Sequence, residues 1–101
     1  MKYFDKGDTV FITCEHEIYD FATDTWSLAD PDSGFPKVTI IDPKEAKKVN
    51  AVTMSKAGGV TGKFQSLYEL ELIAEEGWWK GYVDVENGGY STREWFGFEV
   101  V

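Results

Sequence analysis

Along this chain apolar and polar residues alternate, and no stretch repeats apolar residues at helical spacing for long enough to carry an amphipathic helix. Side chains that change face at every residue belong to strands, and one buried face then calls for a second layer to cover it. From Thr9 to Ile18, Val10, Ile12 and Cys14 share one face, while Thr13, Glu15 and Glu17 take the other. Gly62 to Leu70 sets Phe64, Ser66, Tyr68 and Leu70 against Lys63, Gln65 and Glu69. Trp78 to Glu86 aligns Trp79, Val83 and Val85, and the segment from about Ser91 to Val101 aligns Phe96, Phe98 and Val100. Lys37 to Ile41, bounded by Pro36 and Asp42-Pro43, and Ala51 to Ser55 are shorter runs of the same kind.

Turn chemistry separates these runs. Asp30-Pro31-Asp32-Ser33-Gly34, Asp42-Pro43, Ala57-Gly58-Gly59, Glu76-Gly77 and Asn87-Gly88-Gly89 are turn sequences. Pro43 to Lys48 and Glu71 to Glu76 read as short helical turns. About seven short strands with turns at this spacing predict an all-β fold, an immunoglobulin-like β-sandwich. Residues 1–101 read as a single domain, with no repeat, linker or low-complexity tract.

Particular residues carry a resemblance. They run from Gly7-Asp8-Thr9-Val10 and Tyr19-Asp20 through Leu28-Ala29-Asp30-Pro31-Asp32-Ser33 to Pro36-Lys37-Val38-Thr39-Ile40-Ile41-Asp42-Pro43. Met54-Ser55-Lys56, Thr61-Gly62-Lys63-Phe64, Gly77-Trp78-Trp79 and Phe96-Gly97-Phe98-Glu99-Val100 complete the order. The chain resembles small immunoglobulin-like domains of the macroglobulin or bacterial-surface type. It is also similar to short single-domain structural proteins of tailed phages. The resemblance implies a non-enzymatic role as an accessory or connector component of a virion. Lys44-Glu45 stands where that pattern has a turn glycine, which predicts a longer or helical connection there.

Charge excludes several partners. A formal net charge of −8 repels phosphate, so neither nucleic acid nor an anionic membrane surface is expected to bind. Cys14 is the only cysteine, so no intrachain disulfide forms. The segment Met-Lys-Tyr-Phe-Asp-Lys-Gly-Asp has no apolar signal core, and the protein is expected to be made in the cytoplasm without a signal peptide.

The residues of catalysis are sparse, and no enzyme activity or cofactor is expected. His16, the one histidine, shares a strand face with Cys14. A metal site there needs two more ligands, and a nucleophile–base pair needs an orienting group that the sequence does not supply. Asp30 and Asp32 are the candidates for a calcium site, in an acidic turn that lacks a full ligand register. Ala57 to Lys63 is glycine-rich but leads into a strand, so it reads as a turn and not as a phosphate loop.

Aromatic residues are the remaining signal: the chain has 4 Trp, 5 Tyr and 7 Phe, more than one small core needs. A hairpin closed by Asn87 to Tyr90 sets Trp79 opposite Phe98 and Tyr82 opposite Trp95. Trp78, Tyr82 and Trp95 then form one outward patch, and Glu94 turns toward the core, predicting a bulge or strand end there. Trp26 and Phe35, in a long loop from Asp20 to Pro36, extend the patch or cover it. Three roles fit the patch: a protein interface, a sugar-stacking platform, or cross-strand pairing that steadies the sheet. The protein interface, with a partner in an assembly that is either another protein or a second copy of this chain, is the main expectation, and carbohydrate is the alternative. Free strand edges offer a further route to association.

Overall fold

In the computed structural model, which describes residues 3–101, the chain is all β, with no helix among the described residues. Met1 and Lys2, which open the segment read above for a signal core, lie outside them. The strands are β1 (Tyr3–Phe4), β2 (Thr9–Glu15), β3 (Glu17–Asp20), β4 (Thr25–Leu28) and β5 (Lys37–Ile41). They continue with β6 (Lys47–Thr53), β7 (Ser55–Lys56), β8 (Lys63–Glu69), β9 (Gly77–Asn87) and β10 (Tyr90–Val100). One sheet runs β1-β10-β9-β5-β6, a second runs β2-β8-β7, and β3-β4 form a separate hairpin.

The β9–β10 hairpin organises the large sheet. Gly88 and Gly89 have φ of 62° and 85°, the left-handed pair of a two-residue type I′ turn, whose twist matches that of the flanking strands. Pairing is then unbroken from Tyr90↔Asn87 to Val100↔Gly77, with Trp95 opposite Tyr82 and Phe98 opposite Trp79. Inward residues of this sheet, Val38, Ile40, Trp79, Val83, Phe98 and Val100, meet Val10, Ile12 and Phe64 from the second sheet. Trp79 is 1% exposed and its indole Nε1 donates to the Glu75 carbonyl at 2.8 Å, so its one polar atom is satisfied within the core.

Gly81 sits inside this layer opposite Phe96. A Cβ there would lie 2.4 Å from Phe96 Cζ and 2.6 Å from the Thr39 carbonyl oxygen. The missing side chain is the space the Phe96 ring occupies.

Several boundaries differ from the sequence reading. The run from Thr9 to Ile18 is two strands, because the chain changes partners at His16. Its N–H donates to Gly62 O at 2.8 Å, and its carbonyl accepts from Ala29 N–H at 3.0 Å. Three backbones meet there, and a Cβ on Gly62 would lie 2.9 Å from both Ala29 N and His16 O. The stretch from Asp20 to Pro36 is not all loop, since Thr25–Leu28 returns as β4.

Neither expected helical turn forms. Pro43 to Ala46 is a tight connection in which the buried Asp42 carboxylate accepts from Lys44 N–H and Ala46 N–H, both at 2.9 Å. Glu45 takes φ 66° in it, so the turn is made without the glycine that the pattern wants. Glu71 to Ala74 is a single turn closed by Ala74 N–H donating to the Glu71 carbonyl at 3.0 Å, and Glu75 and Glu76 lead on into β9. The bulge expected near Glu94 is absent, since Glu94 pairs directly with Val83. Irregular register falls instead between β5 and β6, where Ala51 has φ 51° and donates to Thr39 Oγ1 at 3.1 Å.

The molecule is elongated, 51 × 24 × 23 Å, with a radius of gyration of 15.1 Å. A compact chain of this length would have about 13 Å. Among the described residues no helix is long and apolar enough to cross a membrane.

Candidate functional site

The β9–β10 register is the expected one, and it places Trp78, Tyr82 and Trp95 on the outer sheet face. They do not make one exposed patch. Trp78 and Trp95 are 54% and 59% exposed, but Tyr82 is only 9% exposed. The Arg93 guanidinium lies 3.8 Å from its ring centroid, and Trp95 meets it edge-on at 4.9 Å. Arg93 is held in place by a two-point bond to Asp84, Nε–Oδ1 at 2.7 Å and Nη2–Oδ2 at 3.1 Å. Trp78 stands opposite Glu99, and the Lys80–Gly97 pair separates it from the Tyr82–Trp95 pair. This part of the face is therefore a cation–π and cross-strand stack.

Trp26 is on β4 and 66% exposed. It pairs with Tyr19 across the β3–β4 hairpin, and the two rings are 5.2 Å apart. Phe21, 90% exposed, meets Tyr19 edge-on at 4.8 Å. Tyr19 and Phe21 were missed as surface residues by the sequence reading. The available signal was the turn: the Asp20 carboxylate accepts from Ala22 N–H and Asp24 takes φ 53°, as short acidic turn residues do.

A groove of about 1010 Å³ lies between the two sheets. Its floor is Val83, Val85, Phe96 and Phe98 from the large sheet, with Ile12 and half-buried Cys14 on the β2 side. Trp26, Trp95 and Tyr90 reach its rim, so two of the four predicted partner-binding residues meet at one site. Glu15, Glu17 and Glu94 also line it, and among the described residues no Lys or Arg does. Glu94 points between the sheets, as its strand position requires, yet it stays exposed because the layers are open here.

Both strands flanking the groove have free edges among the described residues. β2 pairs only with β8, and β10 meets β1 only at Glu99 and Val100. In a two-residue hairpin the Asn87↔Tyr90 pair is hydrogen-bonded and bonded pairs then alternate. The N–H and C=O groups of Ser91, Arg93 and Trp95 therefore point away from β9.

The residues singled out for chemistry have separate partners. The Cys14 thiol is pushed above its ordinary pKa, first by burial and then by Glu94 and Glu15, which keeps it protonated and a poor nucleophile. His16 Nδ1 donates to the Ala29 carbonyl at 2.8 Å, which ties the ring to the base of the β3–β4 hairpin. Asp30 and Asp32 serve separate turns. Asp30 bonds Lys56 Nζ at 2.7 Å and accepts from Gly62 N–H at 2.9 Å. Asp32 accepts from Gly88 and Gly89 N–H at 3.0 and 3.1 Å, pinning the distant β9–β10 turn. Among the described residues no three His, Cys, Asp or Glu side chains are grouped to hold a metal ion.

No protein-family model, curated protein or solved structure matches this chain.

Proposed function

We propose that this protein is a non-enzymatic interaction module, an immunoglobulin-like β-sandwich that docks another protein of a larger assembly in the groove between its sheets. The observation that carries this reading is the groove itself. It is apolar at the floor, ringed by Trp26, Tyr90 and Trp95, and bounded by strand edges. Tryptophan and tyrosine are the favoured anchors of protein interfaces, because they bury much area with little loss of rotamer freedom. The resemblance to short structural proteins of tailed phages makes a virion our choice of assembly. Burial of Tyr82 removes the middle ring of a sugar-stacking platform, which favours protein over carbohydrate.

The test is a photo-crosslinking amino acid at Thr92, an exposed groove position, in cells that make the protein. A control carries it at Lys44 in the β5–β6 turn, away from the groove. A discrete crosslinked species at Thr92 and none at Lys44 is the expected result. Equal patterns at both positions, or quenching of tryptophan fluorescence by members of a glycan panel, would reject the reading.

A further inference from the structure

We infer that the groove is filled by an extended segment of the partner protein, basic and apolar in alternation, which adds as a strand along the free edge of β2. This rests on the groove being the docking site. Eight consecutive residues, Val10 to Glu17, line it, so β2 and the start of β3 border it along an edge and not through one face. Across from them β10 lines the groove with the inward Thr92, Glu94, Phe96 and Phe98, and also with Tyr90, Trp95 and Gly97. A strand laid beside β2 would satisfy its open backbone groups and set every second side chain on that floor.

Charge selects the segment. Glu15 shares Lys63 at 3.8 Å, while Glu17 and Glu94 have no ion pair among the described residues. Glu94 lies on the floor side, so one inward position of the segment is Lys or Arg and its other inward positions are apolar. Neither the β2 edge nor the β6 edge of a second copy supplies this. Its β2 edge would bring Glu15 and Glu17 against the same residues, and its β6 edge, though it carries Lys47 and Lys48, is broken by two register shifts.

The probe is a blocked ten-residue peptide of alternating Val and Lys, added to the isotope-labelled protein and followed by NMR. Two controls are a Val–Glu peptide and a Val–Lys peptide with alternate backbone nitrogens methylated. The Val–Lys peptide is expected to shift β2 and β10 amides and to slow hydrogen exchange along β2 at least tenfold. Glu94→Lys, with its circular dichroism unchanged, is expected to weaken binding at least tenfold. Equal binding by the methylated peptide would overturn strand addition, and equal binding by the Val–Glu peptide would overturn the basic segment. Absence of shifts with all three peptides would overturn the inference, as would a groove-mediated dimer of this chain. In those cases a Thr92-specific crosslink to a different protein would still uphold the docking reading, and its absence would end both.

Discussion

Gly81→Ala tests the packing on which the groove floor depends. The added Cβ would meet Phe96 Cζ at 2.4 Å and the Thr39 carbonyl oxygen at 2.6 Å, both well inside contact distance. The Phe96 ring can swing toward the open groove, but the carbonyl belongs to β5, the strand beside β9, and moves only with the sheet. Overpacking of this kind costs about 2–3 kcal/mol. Alanine restores about 0.5–1 kcal/mol by stiffening the unfolded chain, so the net loss is about 1–2.5 kcal/mol. For a domain of this size that lowers Tm by roughly 5–20 °C. Thermal unfolding by circular dichroism measures it, with Gly97→Ala as the control, since its Cβ would meet only Trp79 O at 3.3 Å. Combining Gly81→Ala with Phe96→Leu should recover part of the loss and leave the Thr39 share. A Gly81→Ala protein as stable as the parent, or one not improved by Phe96→Leu, would refute the reasoning.

Three further predictions concern single residues. Asp30→Asn should lower Tm at pH 7. The Lys56 bond, and then the Gly62 amide, hold the Asp30 carboxyl below its ordinary value. A depressed native value contributes stability above the unfolded pKa of about 3.9 and loses it as pH falls through the native value, so the difference from the parent should close in acid. A gap that persists unchanged in acid would argue against the ion pair. Glu45→Gly should raise stability by about 0.5–1 kcal/mol in urea unfolding, because φ 66° suits glycine and the exposed Lys80 pair it gives up contributes little. Glu94→Gln should speed alkylation of Cys14 by iodoacetamide at pH 8, since it removes a negative charge that raises the thiol pKa. The rate should stay below that of free cysteine because burial is the larger cause, and an unchanged rate would mean that Glu94 does not face Cys14.

The β9–β10 hairpin was legible almost residue by residue. Asn87-Gly88-Gly89-Tyr90 sets a two-residue turn, the turn sets the register, and the register pairs Tyr82 with Trp95 and Trp79 with Phe98. The inward or outward side of Val10, Ile12, Phe64 and Phe98 was equally plain, because successive residues of a strand must point to opposite faces. Fates that depend on a distant partner were not legible. His16 ends β2 because Gly62 and Ala29 meet it there. Asp30 and Asp32 look like a ligand pair in sequence, but one reaches Gly62 and the other Gly88 and Gly89.

The sequence by itself determined strand character, the face each residue takes, and the register across a tight turn, since each follows from bonds and sterics within a few residues. Only the tertiary structure decided what covers each face. Arg93, tethered by Asp84, closes over Tyr82 on one side of the large sheet. On the other side the sheets stand apart and leave Glu94 and Phe96 beside an open groove. Alternation specifies a direction for each side chain, whereas burial depends on what another part of the chain brings to that direction.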